Sequence, residues 1–353
     1  MNKFFRNIFI LITSFILLSA ISIISVLWTY SNDLPDYKFL KSYKPPVSSK
    51  VYSGNGDLVA DFSQEKRVFV PFNSIPKNVI NAFLSAEDKN FFKHPGVDAK
   101  GVIRAVINNI SNILSSKRLE GASTITQQVA KNFLLTNEVS LNRKIKEAIL
   151  AFRIERALSK ERILELYLNQ IYLGSGAYGV AAASLEYFDK SIKDLNYSEA
   201  ALLAALPKAP SRYNPYRDPD IAKFRRNLVL KNLLDNNYLT SEWYEKLTKE
   251  EIILKKNKKI YLEDAQYFIE DVRKSVIETL SYDKVYKQGF NINTPIDLNL
   301  QTIATKSLRD GLIAYDKRKG WRGPLTNKIY NSEWKKDLEK YKLENSINWK
   351  LAI

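Results

Sequence analysis

The chain has 353 residues, a formal net charge of +16, and 45% hydrophobic and 12% aromatic side chains; that is room for about two domains with a sizeable core, and too apolar for a disordered protein. It holds no cysteine and one histidine, His94, which excludes disulfides, thiolate metal sites, His-rich metal clusters and a Ser-His-Asp triad built on a second histidine. The positive excess suits an anionic partner, nucleic acid or an anionic lipid face, without choosing between them, and the missing cysteine fits an oxidising compartment.

Lys3 and Arg6 precede an uncharged run from Ile8 to Tyr30, IFILITSFILLSAISIISVLWTY. As a helix this run would span about 34 Å, enough for a bilayer core of about 30 Å. A cleaved signal peptide has a shorter apolar core and a small-x-small exit. The expectation is an uncleaved anchor over residues 8–30, with residues 1–7 cytoplasmic by the positive-inside tendency. Trp28 and Tyr30 would sit at the far interface, and everything after Asp33 outside the cytoplasm. A buried core helix is the alternative. Residues 31–50 are polar, contain three prolines and read as a stalk. VYSGNGDLVADF, residues 51–62, alternates around a Gly-Asn-Gly turn and predicts a hairpin.

From Pro76 to about Leu234 the periodicity is helical. In SAEDKNFFKHPGVD, Glu87 and Asp88 are adjacent acids after an apolar helix, and Phe91, one turn on, shares a face with Glu87. A carboxylate partly desolvated by aromatic surface has a raised pKa, as a general acid or base requires; a solvated helix end is the alternative. His94 reads as a hydrogen-bonded structural residue. Asp98 can cap a helix whose Val102, Ile103, Val106, Ile107 and Ile110 form one apolar face.

GASTITQQVAKN, residues 121–132, crowds Ser123, Thr124, Thr126, Gln127, Gln128, Lys131 and Asn132 together. Thr124 and Gln127 fit a capping box. Hydroxyls and amides at a helix start suit a sugar or a phosphate, because backbone N–H groups there also point at an anion. There are more of them than capping needs, so they are expected to line a groove for a charged, sugar-bearing substrate. In LNRKIKEAILAFRIERAL, residues 141–158, Ile145, Ile149 and Phe152 make one face, and Arg143, Lys146 and Glu147 another. Arg143 and Glu147 either form a surface ion pair, or the cations hold a pyrophosphate and Glu147 is a second acid in the same cleft.

Ser159 can cap ERILELYLNQIYL, which ends near Gly174, and Asn169, Tyr172 and Tyr178 offer sugar-binding groups. Ser198 can cap EAALLAALP, a core helix ended by Pro207. KKNKK, residues 255–259, reads as solvated surface. A strand-like piece, residues 289–301, precedes a helix to about Tyr315. Residues 236–353 together read as a linker and the incomplete start of a second module.

Five of these stretches, AEDKNFFKHPGVD, GASTITQQVAKN, RKIKEA, KERILELYLNQIYLGSGAYG and AALLAALPKAPSRYNP, fall in order within residues 86–215. They resemble the motifs of the peptidoglycan glycosyltransferases, the polymerising domain of class A penicillin-binding proteins and of monofunctional transglycosylases. NINTPIDLNLQ and GLIAYDKRKGWRGP are similar to the region joining the two halves of a bifunctional class A protein. The resemblance implies a mainly α fold. An N-terminal transmembrane helix would lead into a lysozyme-like helical domain over residues 51–235, with a cleft and a membrane-facing lobe. A short α+β start of a second module would follow. It implies an inverting transferase that polymerises lipid II into β-1,4-linked glycan and releases undecaprenyl pyrophosphate. The setting would be bacterial cell-wall synthesis, at the inner membrane with the catalytic domain periplasmic.

On the same resemblance Glu87 is the general base on the acceptor's 4-hydroxyl, and Glu147 the second acid, supporting departure of the donor's lipid pyrophosphate. Ser123, Gln128, Lys131, Arg143 and Lys146 fall where the family binds pyrophosphate and sugar. Asp88, Phe91, Thr124, Gln127 and Asn132 stand in the same motifs as expected substrate contacts, and Asn169 and Tyr172 fall on the fourth motif. The implied partners are lipid II, the growing glycan strand, membrane lipid and other cell-wall synthesis proteins, with no nucleic acid. The sequence requires no cofactor; a divalent cation, Mg or Mn, could bridge the pyrophosphate, although no ligand set stands out. A pyrophosphate leaving group needs cations more than a strong acid, which accounts for the Lys and Arg density around Glu147. The rival readings are a lysozyme-like glycan hydrolase and a non-enzymatic membrane scaffold.

A penicillin-sensitive serine site needs Ser-x-x-Lys, Ser-x-Asn and Lys-Thr-Gly together. Lys-Thr-Gly does not occur in the chain, and Ser-x-x-Lys, at Ser63, Ser281 and Ser332 among others, reads as chance. Any transpeptidase domain would lie beyond Ile353. Incubated with a fluorescent penicillin, this chain is expected to give no covalent band on a denaturing gel; a labelled band would overturn that reading.

Overall fold

A computed structural model describes residues 3–31, 34–43, 45–46, 48–63, 66–114, 121–136, 138, 140–255 and 263–320. The basic run after Lys255, the end of the 311–324 stretch and Ser332 lie outside the described residues. Met1–Asp297 form one compact unit and Leu298–Ile353 a second.

The first helix, α1, runs from Lys3 to Ser31. Among the described residues no helix is long and apolar enough to cross a membrane. The sequence holds no charged residue between Arg6 and Asp33. The expected hairpin is present: β1 (Ser49–Tyr52) pairs antiparallel with β2 (Leu58–Phe62), Ser49 opposite Phe62, with a slip in register between Val51 and Tyr52. A two-residue strand, β3 (Lys66–Arg67), follows.

The helical part then begins with α2 (Lys77–Glu87), α3 (Ala99–Leu114), α4 (Ile125–Leu134), α5 (Leu141–Ala157) and α6 (Lys160–Gln170). β4 (Ala177–Tyr178) pairs parallel with β3. After it come α7 (Val180–Phe188), α8 (Tyr197–Ala205), α9 (Pro219–Asp235) and α10 (Ser241–Lys249). α11 (Gln266–Leu280) and α12 (Tyr282–Lys287) lead to β5 (Asn291–Asn293), which adds to β1 in parallel, Lys50 opposite Asn291. Residues from the expected linker thus complete the sheet begun by the hairpin. The second unit contributes α13 (Leu298–Arg318).

The core is organised around α8. Its Ala200, Ala201, Leu202, Leu203, Ala204 and Ala205 are all buried, the signature of a helix that is apolar all round. Its alanines let α2 and α9 pack closely against it. The expected cap on this helix is corrected: Asn196, not Ser198, caps α8 in a capping box with Glu199. Ser198 is already inside the helix, where its hydroxyl accepts from the buried Arg226 guanidinium. The caps at Asp98, Thr124 and Ser159 are as expected, each side chain accepting from a backbone N–H three residues on.

Two apolar stripes do not go to the core. α3 buries Ala105, but leaves Ile103, Val106, Ile107 and Ile110 more than half exposed. On α5 the buried stripe is Glu147, Leu150, Ala151 and Ile154, so Ile145, Ile149 and Phe152 lie on the outer side. The 3.6-residue period identifies a face; it does not say what covers it.

Residues 88–98, between α2 and α3, form a tight turn pressed against α5. Gly96 sits at φ +105°, and a Cβ there would lie 2.8 Å from the carbonyl carbon and oxygen of Ala151. Both the torsion and the contact exclude a side chain. Gly96→Ala is expected to lower unfolding stability by about 2–4 kcal/mol, measured by chemical denaturation; a loss under half a kilocalorie would mean that this turn is not held against α5.

Candidate active site

Two adjoining cavities, each of about 560 Å³, open on the face formed by the end of α2, the start of α4 and the start of α5. The first is lined by Glu87, Asp88, Asp98, Arg104 and Lys208 among others, the second by Lys131, Arg143, Lys144, Glu147 and Tyr172 among others, and Ser123 and Gln128 wall both. The two glutamates singled out from the sequence therefore stand in one trough, on either side of a shared wall.

Glu87 is the last residue of α2. Its carboxylate accepts a 2.7 Å hydrogen bond from the Gln128 side-chain amide. Burial pushes its pKa up, and neighbouring Asp88 adds to that; the Gln128 bond and the charges of Lys208 and Arg225 oppose it. Some of its surface still reaches the cleft. The expected source of desolvation is corrected. α2 ends at Glu87, so Phe91 is not on the same helix; it is fully buried and packs edge-on with Phe92 and His94.

Asp88 and His94 are structural. The histidine Nδ1 accepts from the Gly96 N–H, so its Nε2–H donates, at 3.0 Å, to the Asp88 carboxylate. The same carboxylate accepts from the Ile125 N–H at the start of α4. The anion expected at this helix start is therefore supplied by the chain. The Thr124 and Gln127 N–H groups are taken up by the capping box, and Gln128 N–H by the Thr124 carbonyl. The Thr124 hydroxyl also donates to the Gly96 carbonyl. What α4 offers the trough is side chains: Gln127, Gln128, Lys131 and Asn132.

Glu147 is 1% exposed and is not half of a surface ion pair. It is the first residue of the buried stripe of α5, and it pairs with Arg143 one turn back and with Lys144 at 2.6 Å. Lys144 also donates to the Ser123 hydroxyl at 3.0 Å, tying the start of α5 to the shared wall. Lys146, expected in the site, lines neither cavity; it is Lys144, three residues before Glu147, whose side chain reaches the trough. Asn169 also lines neither. Its amide bonds the Val70 N–H and carbonyl and the Glu165 carbonyl, fixing the segment before α2 onto α6. Tyr172 lines the second cavity with Tyr178, the two rings 4.9 Å apart.

Charge divides unevenly between the two halves. The second cavity sets three cations, Lys131, Arg143 and Lys144, against the one carboxylate of Glu147. The first sets four carboxylates, Glu87, Asp88, Asp98 and Asp235, against Lys89, Arg104 and Lys208. One end suits a polyanion, the other a neutral group that must give up a proton.

Residues 55–234 match a family model described as transglycosylase. Penicillin-binding protein 1A of Rickettsia felis is 48% identical over 330 residues, covering 93% of this chain and 42% of that protein. Penicillin-binding protein 1A of Aquifex aeolicus is 49% identical over 283 residues, covering 80% and 38%. The crystal structure of penicillin-binding protein 1A from Haemophilus influenzae superposes with a TM-score of 0.52 at 28% identity, covering 86% of this chain and 36% of that one. The chain thus spans about two fifths of the length of these curated relatives.

A carboxylate whose pKa is raised on folding favours its protonated form in the folded state. Ionised Glu87 thus subtracts stability above its folded pKa, and the loss vanishes as pH falls below the unfolded value near 4.5. Glu87→Gln is expected to raise the melting temperature by a few degrees near neutral pH and to leave it unchanged near pH 4. An equal effect at both would show that Glu87 is not desolvated.

Proposed function

The chain belongs to the transglycosylase family, in the form found in class A penicillin-binding proteins, and from that premise we propose a membrane-anchored glycosyltransferase that polymerises lipid II. The observation that carries the reading is the single trough holding Glu87 and Glu147, with its cations gathered at the Glu147 end.

In this reading the diphosphate of the donor chain lies among Lys131, Arg143 and Lys144, and the acceptor's 4-hydroxyl lies against Glu87. Glu87 takes the hydroxyl proton as the oxygen attacks the anomeric carbon. The bond from that carbon to the phosphate oxygen breaks on the opposite face, giving inversion. The electron pair leaves on the diphosphate, where the three cations stabilise a charge that grows only as the bond breaks. Glu147 orients Arg143 and Lys144 through its ion pairs. A carboxylate kept partly desolvated is a stronger base than a free one, which suits the removal of a proton from an alcohol. Among the described residues no three His, Asp or Glu side chains lie together as a metal site. A divalent cation would therefore arrive on the diphosphate, and no step here is routed through one.

The membrane placement is supported by α1, with its uncharged run, and by the way its end is fastened. Tyr30 donates to the Asn142 side chain at 2.7 Å, and Arg153 to the Ser31 hydroxyl. Both partners lie on α5, whose outer apolar stripe then sits, with that of α3, beside the bilayer. The chemistry needs this proximity because the substrate is itself a lipid.

Purified chain in lipid vesicles or detergent is expected to convert lipid II into glycan strands. Glu87→Gln should lower turnover by about 10²–10⁴-fold, and Lys144→Ala by about 10²–10³-fold. Cleavage of preformed glycan without extension of lipid II would replace this reading by hydrolysis, and full activity of Glu87→Gln would remove the base.

A further inference from the structure

α6 carries a buried phenol that the transfer reading leaves idle. Tyr167 is 1% exposed, and its hydroxyl is one of few buried polar atoms of the described residues without a hydrogen-bond partner. Buried hydroxyls are ordinarily satisfied, so an orphan calls for a reason. The Tyr167 ring meets Phe83 edge-on, with 6.2 Å between centroids. Phe83 and Glu87 are four residues apart on α2 and share one side of it. The ring that Tyr167 packs against therefore stands one helical turn from Glu87 on the same side of α2. Electrostatics point the same way: burial first, then the charges of Glu87 and Asp88, push the phenol well above its usual range. It keeps its proton and remains a donor.

Of the two acceptors within its influence, Asp88 already takes both His94 and the Ile125 N–H. Glu87 holds Gln128 on one oxygen, which leaves the other. Donor–acceptor pairs in a site without substrate are often long and tighten when substrate closes on them. We propose that Tyr167 is a positioning residue for the base: in the substrate complex its hydroxyl donates to the second oxygen of the Glu87 carboxylate, opposite Gln128, and fixes the plane in which that carboxylate meets the acceptor hydroxyl.

The inference rests on Glu87 being the base, so the parent chain is measured beside the variants. Lipid II polymerisation is followed from acid to mildly alkaline pH. Tyr167→Phe keeps the ring against Phe83 and removes only the donor. Without that donor the Glu87 carboxylate is less stabilised, and the acid limb of the turnover profile should move to higher pH by about one unit. The melting temperature should not fall, because the hydroxyl removed has no partner in the free protein. Incorporating 3-fluorotyrosine at position 167, a stronger donor, should move the same limb to lower pH. An acid limb common to all three proteins would overturn the proposal, as would a Tyr167→Phe chain that unfolds while the fluorinated protein keeps the parent profile. A parent chain that does not polymerise lipid II removes the base itself, a different result from a working parent whose limb does not move.

Discussion

Asp88, 7% exposed, stands between the His94 imidazole and the first N–H of α4, and the geometry of the trough depends on it. The residue before it is Glu87, so the bond that fixes the start of α4 also fixes the end of α2, and Gln128 comes within 2.7 Å of the Glu87 carboxylate as a consequence. A negative side chain at a helix N-terminus is favoured by the helix dipole. Here it is buried and hydrogen-bonded as well, and leaving such a buried group without its partner typically costs about 1–3 kcal/mol, more where the group is charged. The turn that follows completes a three-way joint. His94 orders it, Gly96 lets it lie on the backbone of α5, and the Thr124 hydroxyl ties the Gly96 carbonyl back to α4. Residues 88–98 thus hold α2, α4 and α5 in one arrangement, and these three helices carry Glu87, Gln128 and Glu147.

On that frame the two carboxylates are given opposite surroundings. Glu147 is buried but compensated, with Arg143 and Lys144 on it. It serves to hold cations in place. Glu87 is desolvated with an amide as its bonded partner and the cationic Lys208 and Arg225 acting at longer range, so it keeps proton affinity. A pair of acids whose environments differ in this way is how one site divides its roles. Neither proposed assignment rests on residue type; both rest on what the fold puts beside each carboxylate.

How much of this was legible in the sequence depended on range. Caps within three or four residues, such as Thr124 with Gln127 or Ser159 with Arg162, were readable, as was the hairpin around Gly54-Asn55-Gly56. α8 was readable because an apolar run of that length between a polar start and Pro207 can only be buried. What local pattern could not give was what lies across from a face. The α3 and outer α5 stripes look like core positions by period, yet Ile103, Val106, Ile107, Ile110 and Phe152 are exposed and Ile145 and Ile149 only half-buried. Lys144, which pairs with Glu147, carries a local signal as well, since the two are three apart and share a side of the helix. Lys208 and Arg225, which act on Glu87 from beyond α8, carry no local signal. Ser198 failed as a cap because Asn196, two residues earlier, opened the same helix with its own partner at Glu199.

If α1 is the membrane anchor proposed above, its fastening to α5 makes the depth of the site a consequence of that anchor. The Tyr30 hydroxyl reaches Asn142, and Glu147 stands five residues further along the same helix, about 7.5 Å of rise. If α1 crosses the bilayer and ends near Ser31, the cations paired with Glu147 cannot be far from the plane of the lipid phosphates. That is the level at which the diphosphate of a lipid-linked sugar lies. Glu87, across the shared wall of Ser123 and Gln128, then faces the part of the substrate that has left the membrane. Exposed apolar side chains on α3 and α5 would be a solubility cost in water; against lipid they would hold that level. On the proposed placement the trough would be oriented before any substrate arrives, with its polyanion end at the membrane and its base end away from it, and a lipid-bound donor sliding in the plane of the bilayer would meet the cations first.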